Sequence, residues 1–203
     1  MYKGSIKPAE TIRISCAALC QIEIGGRFLF EINKNRGNVL TPLGGALEFH
    51  EQARPFLLSL GVKFQEGHDL RLTLPERRLP KFREWFVKKT DRETDPQREL
   101  REELIEEHQV LPFWPTAKAS MSWLRLAELE QVSTREGQEG VLTHYFYEIV
   151  AVRLPDAVAK ACVERAAGHL SRLYLLYEEE TRGASAMHQG YPLAETCRIV
   201  LQS

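Results

Sequence analysis

Along residues 11–24 the apolar side chains fall on every second position, from Ile12 and Ile14 to Ile22 and Ile24, and residues 27–32 carry a second short apolar run. A period of two belongs to a strand with one buried face, and Gly25-Gly26 between the runs suits a tight turn, so the two segments predict a β-hairpin. Residues 33–38 read as a turn-rich loop, and residues 39–47 as an extended run leading into Gly44-Gly45. Residues 51–60 predict a short helix ended by Gly61. Residues 62–65 and 69–74 predict a hairpin around Glu66-Gly67-His68. In residues 79–89 the period lengthens to that of a helix, with Phe82, Trp85 and Phe86 on one face that reads as core. Residues 112–115 are a loop between prolines. Residues 119–132 and 141–153 predict a long antiparallel pair, 156–167 a helix, 170–178 a strand and 193–201 a final helix. Strands and helices are thus interleaved with hairpins dominant, which predicts an α/β sandwich around a mixed sheet.

One segment of helical character differs from the rest. Asp95-Pro96 is a helix start, because Asp suits the N-cap and Pro the first helical position, where no N–H is needed. From Pro96 to about Glu107 good helix formers dominate. At roughly 100° per residue, Glu99, Glu102, Glu103, Glu106 and Glu107 fall within an arc of about 140°. Leu100 and Leu104 adjoin it and would face the core. Carboxylates three and four residues apart repel by a few tenths of a kcal/mol each. Alone, such a run reads as a solvated acidic face. It is also an oxygen-rich surface of the kind that a hard divalent cation takes.

A second fragment changes the balance. Gly44-Gly45-Ala46-Leu47-Glu48-Phe49-His50-Glu51 has the spacing G-x5-E from Gly45 to Glu51, and Arg98-Glu99-Leu100-Arg101-Glu102-Glu103 has the pattern R-E-U-x-E-E, where U is bulky and apolar. Together they resemble the signature of the Nudix hydrolases. The resemblance implies a Nudix-type α/β/α sandwich around a mixed sheet and hydrolysis of a diphosphate linkage with Mg²⁺ or Mn²⁺. It implies that Glu99, Glu102 and Glu103 bind metal or activate water, and that Glu51 supports the helix through Arg98. It implies further that Gly44 and Gly45 present backbone to the site, with Glu48 as an additional acid.

Three departures stand out. Glu51 and Arg98 have 46 residues between them where the signature has 7, so residues 52–94 form an insertion within one domain spanning residues 1–203. Ile105 replaces the glycine expected after the helix glutamates, which predicts a later helix end near Glu107–His108. Leu43 and His50 stand where proline and glycine are common. The insertion reads as a small packed subdomain rather than a structureless loop. A split signature of this form resembles the SMODS-associated Nudix domains. Those bacterial proteins are predicted to act beside nucleotide second-messenger synthetases in antiviral defence, which implies such a synthetase as a functional partner.

Composition narrows the partners. The chain has 203 residues, is 43% hydrophobic and carries a net charge of −1, so it suits one core and offers no basic track for long nucleic acid. A nucleotide-type small molecule remains compatible, because metal ions supply positive charge locally. Cys16, Cys20, Cys162 and Cys197 form no C-x-x-C and read as buried thiols; the six histidines show no zinc spacing. No signal core or long apolar run occurs, so a cytoplasmic protein without membrane contact is expected, and Nudix resemblance leaves a homodimer open. Glu136 and Glu139 in the loop 133–140 are candidates for a further acid. Trp114, Trp123 and Tyr145 are candidates for base stacking, with core packing the alternative for each. Glu178-Glu179-Glu180 reads as surface charge. Two functions fit: a nucleotide diphosphate hydrolase, or a sensor on the same fold that binds a nucleotide signal with little or no turnover.

Overall fold

The computed structural model describes residues 11–115, 118–133, 137–168, 171–183 and 186–202. In chain order the first elements are β1 (Thr11–Ile24), β2 (Arg27–Asn33), β3 (Val39–Pro42), α1 (Arg54–Ser59), β4 (Lys63–Phe64), β5 (Arg71–Pro75) and α2 (Leu79–Val87). Next comes α3 (Gln97–Arg101), which runs on without a break as a π-helix over Glu102–Glu107. The rest are β6 (Ser120–Val132), β7 (Leu142–Arg153), α4 (Asp156–Ala166), β8 (Leu173–Leu176), β9 (Met187–His188), β10 (Tyr191–Pro192) and α5 (Glu195–Leu201).

β1 is the spine of the sheet. Along one edge it pairs in parallel with β7, from Arg13 opposite Thr143 to Ile22 opposite Val152. Its other edge is shared out in sequence. Residues Thr11 to Ser15 pair antiparallel with β5, and Glu23 and Ile24 pair with β2. Between them lies the glycine loop: Ala18 N–H donates to Gly45 O at 3.0 Å and Cys20 N–H to Leu43 O at 2.8 Å. β2 carries β3 and β8, both antiparallel, and β7 carries β6. The sheet is mixed, with helices packed on it, as the alternation of elements predicts.

The inserted residues are woven into this sheet. Their strand β5 lies beside β1, and Phe82, Trp85 and Phe86 of α2 share one core with Ile12, Ile14 and Phe146 of β1 and β7. Phe82 and Phe146 meet edge to face at 5.8 Å. The aromatic face of residues 79–89 is therefore core, as its period suggests. The insertion leaves and returns on adjacent rungs: His50 N–H donates to Asp91 O at 2.8 Å and Glu93 N–H to Glu48 O at 2.9 Å. A separation of 46 residues in sequence thus closes to a two-stranded stem, and α3 starts where the glycine loop lies.

The later part of the chain departs from expectation in detail. β8 covers only Leu173–Leu176, and Glu178–Thr181 is a 3₁₀ turn in which Glu180 accepts from the Tyr177 N–H at 2.7 Å. Residues 169 and 170 lie outside the described residues. β9 and β10 form a two-residue ladder too short to leave a periodic signal. α5 begins at Glu195 because Leu193 and Ala194 stay extended, donating to Ala186 O and Leu40 O. All four cysteines are free and buried. Among the described residues, no helix is long and apolar enough to cross a membrane.

Candidate active site

The acidic helix begins at Gln97 with Pro96 at the cap position, one residue later than the sequence predicts. The Asp95 carboxylate still accepts from the Gln97 N–H at 3.0 Å and satisfies one of the donors left free at a helix start. Its second half widens: His108 N–H donates to Glu103 O, five residues back, at 2.8 Å. A π turn holds one more residue than an α turn and occurs often at functional sites. Here it lets Glu103 and Leu104 both face inward, and it carries buried His108 to Glu31 of β2 at 2.7 Å. The helix ends at Glu107, as the loss of the glycine at Ile105 predicts. Glu106 and Glu107 are exposed, so that end of the run is a solvated acidic face.

Glu99 and Glu103 press on the glycine loop. Gly44 N–H donates to Glu103 Oε2 at 2.8 Å. Gly44 has φ of +118°, and a Cβ there would lie 2.2 Å from the Ala18 carbonyl oxygen. A Cβ on Gly45 would lie 2.0 Å from Glu99 Oε2. Both glycines are therefore required by close approach, one to β1 and one to the helix. Burial raises the Glu103 pKa well above the ordinary value, with Glu31 adding to it and the Gly44 N–H opposing. Burial also raises that of Glu99, Arg98 opposing and Glu102 reinforcing.

Arg98 ties the carboxylates together. It donates to Glu93 from Nε and Nη2 at 2.9 and 3.0 Å, to Ala46 O at 3.0 Å and to Glu102 Oε2 at 3.3 Å. Its Nη1 is 2.7 Å from Glu99 Oε1, and Glu48 Oε1 is 3.8 Å from Nη2. The bonds to Glu93 are the largest influence holding its pKa up. The support expected from Glu51 comes instead from Glu93. Glu51 is 63% exposed and binds Arg54 at 2.6 Å and His68 at 3.1 Å. The insertion begins at Glu51, so α1 draws that side chain outward, and the returning stem supplies another glutamate.

Among the described residues, no three or more His, Cys, Asp or Glu side chains are arranged to hold a metal ion. The donor chemistry nevertheless fits one. Glu99, Glu102 and Glu103 offer only oxygens, the donors that a hard cation takes, and Mg²⁺ commonly uses one or two carboxylates with waters completing its shell. Those three residues would hold it.

Beside Gly44, Gly45 and Ala46 opens a cleft of about 340 Å³. Its walls include Arg13 of β1, Arg36 of the β2–β3 turn, Thr41 of β3, and Tyr145 and Tyr147 of β7. The two tyrosine rings stack at 5.4 Å. Burial lifts the Tyr147 phenol to about 12. Of the aromatic candidates, Tyr145 alone lines this cleft. Trp114 packs in the core with Val158 and Cys162, and Trp123 is exposed with Lys89 Nζ 5.0 Å from its ring. Glu139 is exposed at its hairpin tip, and Glu136 lies outside the described residues. Tyr147 and Arg13 are not singled out by the sequence, because their place in one cleft depends on the β1–β7 pairing.

The family model of the SMODS-associated NUDIX domain matches residues 11–189. No curated protein and no solved structure gives a significant match.

Proposed function

The chain belongs to the SMODS-associated NUDIX domain family, and from that premise we propose that it hydrolyses a diphosphate linkage in a nucleotide derivative. The observation that carries this reading is the packing of Glu99 and Glu103 against Gly44-Gly45 at the edge of the cleft. The backbone there can approach a phosphate closely, and Arg13 and Arg36, which also line the cleft, would offset anionic charge. Glu99, whose pKa burial raises, would be a stronger base than an exposed carboxylate and is suited to take a proton from attacking water. Arg98 orients Glu99 and Glu102 from one guanidinium, and Glu93 fixes Arg98. A divalent cation bound by Glu99, Glu102 and Glu103 would supply charge for the phosphates and lower the pKa of a bound water.

The test is product analysis with Mg²⁺ or Mn²⁺ over nucleoside triphosphates, ADP-ribose, NAD, dinucleoside polyphosphates and cyclic oligonucleotides. Metal-dependent release of a nucleoside monophosphate, lost in Glu102→Gln/Glu103→Gln, is the expected result.

A second reading has its own observation. Arg98 already engages Glu99 and Glu102, with Nη1 at 2.7 Å and 3.3 Å from their carboxylates. That arrangement suits a sensor that holds a nucleotide signal without cleaving it. A ligand from the same panel that raises the melting temperature, with no product under any metal, would favour the sensor.

A further inference from the structure

The cleft carries unmet hydrogen-bonding capacity. Asn33 Oδ1, Thr41 Oγ1 and Thr196 Oγ1 are buried without a hydrogen-bond partner, and all three residues line this cleft. Two other buried polar atoms among the described residues share that condition, Trp114 Nε1 and Arg172 Nε, and neither residue lines it. Thr41 and Thr196 are only 5% and 6% exposed, so bulk solvent does not reach them freely. Buried polar groups left unpaired are costly, and their clustering at one cavity points to a ligand that pairs them.

Local structure brings them together. Leu40 O accepts from the Ala194 N–H at 2.9 Å and from Cys197 Sγ at 3.1 Å, which fixes the start of α5 against β3. Thr196 is thereby set beside the strand that holds Thr41. Asn33 lies opposite Val39 in the neighbouring ladder. Although it precedes the turn Lys34–Arg36, its side chain makes no capping bond there.

The chemistry of the three groups selects among ligand parts. A hydroxyl both donates and accepts, and an amide presents one acceptor and two donors. A phosphate only accepts, and the flat face of a base does neither. Adjacent sugar hydroxyls do both, at two neighbouring points. Position agrees: Thr41 is three residues from Gly44, at most about 10 Å along the chain, and a ribose sits between phosphate and base. A cleft of about 340 Å³ is at the small end for ligand pockets. Accepting the nucleotide reading above, we propose that the cleft takes one ribonucleoside unit, with its sugar hydroxyls on Thr41, Thr196 and Asn33 and its phosphates toward Gly44-Gly45.

The experiment compares binding of ADP, 2′-deoxy-ADP and 3′-deoxy-ADP by calorimetry to the full chain and to Thr41→Val, Thr196→Val and Thr41→Ser. The unaltered protein should favour ADP about tenfold or more over at least one deoxy analogue. Thr41→Val or Thr196→Val should bring that ratio toward one, while Thr41→Ser, which keeps the hydroxyl, should retain it. A melting curve checks that each variant is folded, and either valine variant alone suffices for the comparison. ADP binding with a ratio near one, or a ratio untouched by the folded variants, overturns the sugar assignment and leaves the nucleotide reading standing. Binding of none of the three overturns the sugar assignment as well. The wider nucleotide reading then falls only if the full substrate panel is also silent in both turnover and melting temperature.

Discussion

Glu93 grips Arg98 with both carboxylate oxygens, at 2.9 and 3.0 Å, while its Oε2 also accepts from the Glu48 N–H at 2.9 Å. One side chain thus joins the stem of the insertion, the glycine loop and the acidic helix. Replacing Glu93 with Gln should loosen Arg98 and, through it, Glu99 and Glu102. Because Arg98 is 31% exposed, solvent screens part of the interaction, and the expected cost is about 1 kcal/mol. Turnover should fall more than stability. Glu51→Gln should alter neither. Thermal melts and initial rates of the two variants, side by side, check this; equal losses would return the bracing role to Glu51.

The helix glutamates and the glycines were legible because their chemistry is tied to residue type at short spacing. Gly45 and Glu99 lie far apart in sequence, yet the type of each residue already states its requirement. Glu93 left no such trace, because the return of the insertion beside Glu48 is a tertiary event with no local period. The wide turn at Glu102–Glu107 was hidden for a related reason: the contacts that go with it, His108 with Glu31 and the buried Leu104, are tertiary. Tyr147 and Arg13 face the cleft only because β1 and β7 pair in parallel, and strand alternation names faces without naming neighbours.

The two glycines should respond differently to alanine. At Gly44 the new Cβ meets backbone, 2.2 Å from Ala18 O, on a residue with φ of +118°. Gly44→Ala should therefore destabilise the fold, by about 2–4 kcal/mol or more. At Gly45 the Cβ meets the end of a flexible side chain, Glu99 Oε2 at 2.0 Å and Cδ at 2.4 Å. Gly45→Ala should keep its melting temperature within a few degrees and displace the Glu99 carboxylate, lowering turnover by about tenfold or more. Similar melting losses in both variants would contradict the distinction.

Stability should depend on pH in a definite direction. Burial holds Glu99 and Glu103 above the ordinary glutamate value of 4.5. A carboxyl with a higher pKa folded than unfolded contributes stability that is fully present below its unfolded value and is lost as pH rises through its folded value. Without added metal, the melting temperature should therefore decline as pH rises above about 4.5. Glu103→Gln cannot titrate there, so its decline should be shallower. Mg²⁺ should stabilise the unaltered protein more at higher pH, because protons compete for the same oxygens. Melting curves from about pH 5 to pH 8, with and without Mg²⁺, decide the point; a variant that tracks the unaltered protein throughout would remove Glu103 from the account.

The last prediction concerns what holds the stem in place. Arg92 is fully buried, 2.8 Å from Glu148 of β7, and it donates to Phe86 O from Nε and Nη2 at 3.0 and 2.6 Å. Its Nη1 donates to Glu93 O at 2.6 Å, so the same guanidinium fixes the residue that braces Arg98. Glu148→Ala would leave a buried charge without its carboxylate, at a cost of about 3–5 kcal/mol. The joint replacement Arg92→Met/Glu148→Leu removes both charges and should recover much of that stability. It cannot restore the bond to Glu93 O, so turnover should stay low in the stable double variant. Urea denaturation and rate measurements on the single and double variants separate the two effects. A double variant that is both stable and fully active would mean that the stem holds Glu93 in place without Arg92.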